Sequence, residues 1–226
     1  MSSARFALYW APDLSDPLHA AGSAWLGRDA ETGATLRQPQ VPGVDLFEIT
    51  RDPRRYGLHA TLKAPFRLAT GYDALADATA ALAARIAPFD LPPLAVTDLD
   101  GFLALTERAP CPPLQALCDQ AVADLEPHRA PLTEAEIARR RPDRMTPEQR
   151  GNLDRWGYPH VFGAFFFHVT LTRRLTAEES ALVRPAAEAA VGGAARHPRR
   201  VTSICLFSQP EPGVPFRIAE RFALAG

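Results

Sequence analysis

Apolar positions recur at two periods along this chain, and the changes between them lay out its elements. Arg5 to Trp10 is an apolar run stopped by Ala11-Pro12-Asp13, which predicts a strand. A short helix follows from near Ser15, with Pro17 in its first turn, to about Arg28. Glu31 to Pro42, rich in Gly, Pro, Gln and Thr, reads as a loop, and Val44 to Thr50 and Tyr56 to Lys63 read as strands. Gly71 to Ala87 carries Leu75, Leu82 and Ile86 at helical spacing. Pro92 to Thr97 and Gly101 to Thr106 pair as short strands across the turn residues Asp98 to Asp100.

The second half repeats this order. Ala164 to Thr172 reads as a strand holding a histidine, and Thr176 with Glu179 forms a capping box that opens a helix to about Val191. Val201 to Ser208 and Val214 to Leu224 follow as strands. Each half therefore runs histidine strand, helix, strand, strand, the pattern of a duplicated α+β unit. Between the halves, Leu114 to Leu125 is helical, and capping boxes at Thr133/Glu136 and Thr146/Gln149 start helices to about Arg141 and Trp156. The expected organisation is one bilobal domain over 1–226, with lobes at about 1–110 and 157–226 and a helical, arginine-rich insertion at about 113–156.

Composition narrows the class. Hydrophobic residues at 46% and charged residues at 23% are ordinary globular usage, and a formal net charge of −1 exerts no general pull on nucleic acid. No window approaches a membrane span. Met1-Ser2-Ser3-Ala4-Arg5 leads straight into the first strand without a signal-type apolar region, so a cytoplasmic protein is expected. Three cysteines without a CxxC pair exclude a disulfide framework or a cysteine zinc site. One lysine, Lys63, stands among many arginines, which leaves two readings: a place where a compact ammonium is needed, or chance survival on the surface.

The chemistry lies in two tetrapeptides, His59-Ala60-Thr61-Leu62 and His168-Val169-Thr170-Leu171, at the same place in each half. Residues i and i+2 of a strand share a face, so His59, Thr61 and Lys63 would point one way, and His168 and Thr170 likewise, with Leu62 and Leu171 turned into a core. Two such strands about a pseudo-twofold axis place two imidazoles and two hydroxyls in one cleft. One histidine can take a proton from water while the other gives one to a departing oxygen, with the hydroxyls and Lys63 serving the phosphate oxygens. No metal and no cofactor is called for, and His160 with His168 lacks the context of a zinc motif.

These motifs resemble those of the 2H phosphoesterases. Arg5 to Pro12, Tyr56 to Phe66 and Arg155-Trp156-Gly157-Tyr158-Pro159 are similar to the branch associated with phosphonate-utilisation operons. The resemblance implies an α+β bilobal fold, with two small antiparallel sheets around a cleft and helices outside. It also implies a metal-independent phosphodiesterase in which His59, Thr61, His168 and Thr170 are catalytic. The expected substrate is a small anionic phosphate ester, such as a ribose cyclic phosphate from phosphonate breakdown. Lys63, Arg155 and Tyr158 are expected to bind it, the last two delivered by the insertion. Action on 2′,3′-cyclic or 2′-5′ RNA phosphates, or a non-catalytic phosphate-binding module, are the alternatives. The insertion is longer than in RNA-acting members, which favours a small ester. Membrane partners are not expected.

Overall fold

In a computed structural model the described residues are 3–226, so Met1 and Ser2 of the N-terminal reading lie outside them. In chain order the elements are β1 (Arg5–Trp10), α1 (Pro17–Leu26), α2 (Leu46–Ile49), α3 (Arg51–Tyr56), β2 (Ala60–Phe66), α4 (Tyr72–Ala83), β3 (Phe89–Leu91), β4 (Leu94–Leu99), β5 (Phe102–Glu107) and α5 (Pro112–Asp124). Then follow α6 (Glu134–Arg139), α7 (Pro147–Trp156), β6 (Val169–Thr170), α8 (Ala177–Ala187), α9 (Gly193–Arg196), β7 (Arg199–Val201), β8 (Ser203–Gln209) and β9 (Arg217–Ala223). Among the described residues no helix is long and apolar enough to cross a membrane.

The helix starts follow from local chemistry. Asp16 accepts the Leu18 amide ahead of Pro17, and Thr133, Thr146 and Thr176 each close a capping box with Glu136, Gln149 and Glu179. Val44 to Thr50 is the exception to the strand reading. Its apolar residues suit either period, but Asp45 accepts the amides of Phe47 and Glu48 at 3.0 and 3.3 Å, starting α2 and burying Leu46 and Ile49 on one helical face.

The sheet order is β4-β5-β6-β2-β1-β8-β9, with β3 and β7 forming a separate two-stranded ribbon. The class is α+β as expected. Where two small sheets were anticipated, hydrogen bonding across the single pair Ala60↔Val169 joins the strands into one seven-stranded antiparallel sheet. The two sequence halves interleave in it: β6, from the second half, lies between β5 and β2 of the first. The repeat is also unequal at its end. β5 packs beside the histidine strand β6, but β9 takes the outer edge, and the N-terminal β1 fills the place beside β2 that corresponds to β5.

The main core lies between one face of this sheet and the helices. It contains Leu8, Trp10, Leu62, Val169 and Leu171 from the strands and Leu18, Trp25, Leu75, Leu117 and Val183 from α1, α4, α5 and α8. Trp25, fully buried, donates its indole N–H to the Leu171 carbonyl at 3.0 Å, tying α1 to the second motif. On the other face, Ala7, Tyr9, Cys205, Phe207 and Phe216 form a smaller cluster beneath the cleft.

Candidate active site

Ala60 and Val169, the middle residues of the two H-x-T motifs, are direct antiparallel partners. Continuing that register sets His59 opposite Thr170 and Thr61 opposite His168. The histidines are then diagonal neighbours on one face of the sheet, which for such strands puts their backbones roughly 7–8 Å apart. All four side chains line one cleft of about 280 Å³, together with Tyr9, Asp52, Tyr56 and Tyr158.

Both rings are held by the same device. The His59 Nδ1–H donates to the Gly57 carbonyl at 2.9 Å, and the His168 Nδ1–H donates to the Phe166 carbonyl at 3.2 Å. A carbonyl can only accept, so each Nδ1 carries the hydrogen and each Nε2 is the nitrogen left for a ligand. The device also explains why β6 is shorter than the Ala164–Thr172 strand read from the sequence. The Phe166 carbonyl is taken by the ring, and Phe162–Ala164 is a three-ten turn with Phe162 at φ 52°. On the other side, Gly57 adopts φ 82°, and a Cβ there would stand 2.4 Å from Ala30 Cβ, so glycine is needed where the chain turns to present its carbonyl.

The two histidines differ in their surroundings. His59 packs on Tyr9, with ring centroids 4.0 Å apart, and on Tyr56 at 5.7 Å. Burial pushes its pKa down to about 4, with the Gly57 carbonyl opposing and the neighbouring His168 adding a smaller lowering. His168 stacks on the exposed Phe166 at 4.6 Å; burial lowers its pKa too, opposed by the Phe166 carbonyl and aided by nearby His160. The Tyr9 and Tyr158 phenols are raised by burial, so both are neutral hydrogen-bond donors. No group within the protein engages the Thr61 or Thr170 hydroxyl among the described residues. The Thr172 hydroxyl, also at the cleft, is taken by the Leu103 amide at 2.9 Å.

Two expected ligand-binding residues are elsewhere. The β1–β2 pairing runs Tyr9↔Thr61 and then Leu8↔Lys63, so Leu62 is an extra residue, a bulge that reverses the alternation. Lys63 consequently leaves the Thr61 face. Its Nζ is buried against α5, donating to the Val122 carbonyl and to Glu126, each at 2.9 Å. Burial lowers its pKa and Glu126 opposes this. Ala64, one residue on, lines the cleft instead. Arg155 is exposed, its guanidinium 4.6 Å from the Trp156 ring. It lies in the last turn of α7, before the chain reverses at Gly157 with φ 72°; Tyr158, beyond that turn, is carried into the cleft.

The sequence reading did not single out Tyr9, Asp52 and Tyr56 as cleft residues. Tyr56, three residues ahead of His59, was legible as part of the same motif stretch; Asp52 and Tyr9 carry no pattern that separates them from a helix surface and a core strand. Among the described residues no three His, Cys, Asp or Glu side chains gather as a metal set, and the cleft lining includes no Lys or Arg.

A model of a family described as "Protein of unknown function (DUF1045)" matches residues 61–217. Two curated relatives carry the name ribose 1,5-bisphosphate phosphokinase PhnN. That of Janthinobacterium sp. (strain Marseille) is 36% identical over 100% of this chain and 52% of its own length. That of Laribacter hongkongensis (strain HLHK9) is 36% identical over 95% of this chain and 50% of its own. The chain thus spans about half the length of these relatives. Among solved structures, a protein described as a phosphoesterase aligns over 98% of this chain and 99% of its own at 17% identity and TM-score 0.43. E. coli LigT complexed with phosphate aligns over 100% of both at 15% identity and TM-score 0.45.

Proposed function

The chain belongs to the DUF1045 family, and from that premise we propose that it is a metal-independent phosphodiesterase of the two-histidine type. It would hydrolyse a small cyclic phosphate ester, a ribose cyclic phosphate arising in phosphonate breakdown. The observation that carries the reading is the pair of histidines in one cleft, each anchored through Nδ1 to a carbonyl two residues back and each matched by a free threonine hydroxyl.

In this reading His59, kept neutral by burial, uses Nε2 to take a proton from water as the oxygen attacks phosphorus. His168, the less deeply covered ring, enters protonated and gives the Nε2 proton to the departing ester oxygen as the P–O bond breaks. One water is consumed, and exchange with solvent moves the proton from His59 and restores it to His168. Thr61 and Thr170 donate to the non-bridging oxygens as their charge grows. A cleft that presents hydroxyls, one imidazolium and no lysine or arginine suits a singly charged diester better than a dianionic monoester. Its volume lies at the small end of ligand pockets, which also fits a compact ester rather than an RNA chain.

The relatives are named for a phosphorylated ribose, which supports a sugar phosphate as the ligand here. The one lysine of this chain is held in the Glu126 pair rather than in a glycine-rich loop, which favours the phosphodiesterase reading over the kinase activity stated in that name. Cys111, Cys118 and Cys205 are free thiols, which supports a reducing compartment, the cytoplasm.

The test is turnover by chelator-treated protein on ribose cyclic phosphates, 2′,3′-cyclic nucleotides and 2′-5′ oligonucleotides, followed by phosphorus NMR. Ring opening of a small cyclic ester is expected. Cleavage of oligonucleotides alone would move the substrate to RNA, and no cleavage of any would leave a binding module.

A further inference from the structure

A second compartment of about 250 Å³ adjoins the histidine cleft and shares two of its walls, Asp52 and Tyr56. Its other lining residues are Arg5, Arg55, Gln209 and Phe216. We propose that it holds a phosphate monoester on the same molecule whose cyclic diester lies between His59 and His168. The substrate is then a doubly phosphorylated sugar. This rests on the phosphodiesterase reading and adds the ligand's second charged group.

The two guanidiniums are arranged for an anion. Arg5 donates from Nε to Gln209 Oε1 at 2.7 Å, and Gln209, buried, is itself held by donating to the Val214 carbonyl at 2.6 Å. The plane of Arg5 also lies against the buried Phe216 ring, with Cζ 5.4 Å from its centroid. Its Nη groups are thus fixed in place with no protein acceptor among the described residues. Arg55 is exposed, its backbone carbonyl held by the Phe216 amide at 2.8 Å and its side chain without an acidic partner among the described residues. Other arginines of the fold are spent on carboxylates, as Arg67 is on Glu136 and Arg199 on Asp16. Two unpaired forks on one small compartment match the three oxygens and near-double charge of a phosphate monoester.

The division of charge between the compartments supports the assignment. The histidine cleft offers hydroxyls and a single imidazolium, fit for a monoanionic diester, and the two guanidiniums stand beyond Tyr56, where a dianion would lie. Asp52, exposed and paired with Arg51 at 3.4 Å, stands at the junction and can only accept hydrogen bonds, so it meets the hydroxyls of the sugar between the phosphates.

The experiment compares kcat/KM for matched ribose cyclic phosphates, and matched nucleoside 2′,3′-cyclic phosphates, with and without a phosphate on the primary hydroxyl. Wild-type protein should prefer the phosphorylated member of a pair by roughly ten-fold to a hundred-fold, the worth of one or two charge-assisted contacts. In Arg5→Gln and Arg55→Gln that preference should fall at least ten-fold through KM. Should Arg5→Gln fail to fold, the exposed Arg55 carries the test alone. Equal turnover of both members by wild-type protein, or a preference that survives Arg55→Gln, overturns the second site while the phosphodiesterase reading stands. Turnover of neither member brings down both.

Discussion

Thr61 and Lys63 lie two residues apart on β2, yet Thr61 faces the cleft and Lys63 is buried on the opposite side of the sheet, 2.9 Å from Glu126. The Leu62 bulge separates them, and it makes Lys63 a structural group. Glu126 is shared with Arg129 at 2.6 Å, so Lys63→Met leaves the carboxylate one cation and should cost about 1–3 kcal/mol. Glu126→Gln instead leaves a buried ammonium with neutral acceptors and no counter-charge, and should cost about 3–5 kcal/mol. Urea unfolding of the two variants checks the order, and a Lys63→Met protein with a raised KM but unchanged midpoint would contradict it.

His59→Ala and His168→Ala should each lower kcat by about 10²–10⁴-fold, the range for a placed acid or base. The double variant should lose far less than the product of the two, because either ring is of little use without the other. Steady-state rates on one cyclic ester decide this, and wild-type rates in either single variant would remove that residue from the mechanism.

The pH profile follows from the two environments. His59 works as a base only when neutral, so kcat/KM should rise through a pKa of about 4. His168 works as an acid only when protonated, so kcat/KM should fall through a pKa below the ordinary 6.5. A bound anion favours both imidazoliums, which should move the falling limb of kcat to higher pH than that of kcat/KM. A falling limb of kcat/KM above pH 7 would reverse the assignment of the environments.

Stability should respond to the same burial. Between about pH 4 and 6.5 the unfolded chain protonates its histidine while folded His59 stays neutral, so the unfolded state binds more protons and stability falls as pH falls. The expected loss across this window is about 3 kcal/mol, with His168 acting in the same direction. His59→Gln should flatten the pH dependence of the unfolding free energy there. An unchanged slope in that variant would show that the ring titrates freely in the folded protein.

A compact ligand also has a salt signature. One or two phosphate contacts give a shallow dependence of log KM on log salt, whereas an RNA chain releasing many counterions gives a steep one. Kinetics between 50 and 500 mM salt (about a decade) separate the two.

Local chemistry alone determined much of this protein. The capping boxes at Thr133, Thr146 and Thr176, the short apolar runs of β1, β5 and β8, the alternation of β4, and the repeated H-x-T-L are written in adjacent residues, because caps and strand faces depend on neighbours two to four positions away. The tertiary structure decided whatever depends on a partner strand or a distant cap. Asp45 turned an apolar run into α2, and β1 displaced β9 from the place the repeat predicted for it. A bulge set only by the pairing with β1 swung Lys63 to the other face. The Arg5–Arg55 compartment unites residues far apart in sequence that meet only because β8 pairs with β1, placing Gln209 beside Arg5. Alternation along a strand is a local property, but its phase is fixed by the neighbouring strand, and no single segment of sequence contains it.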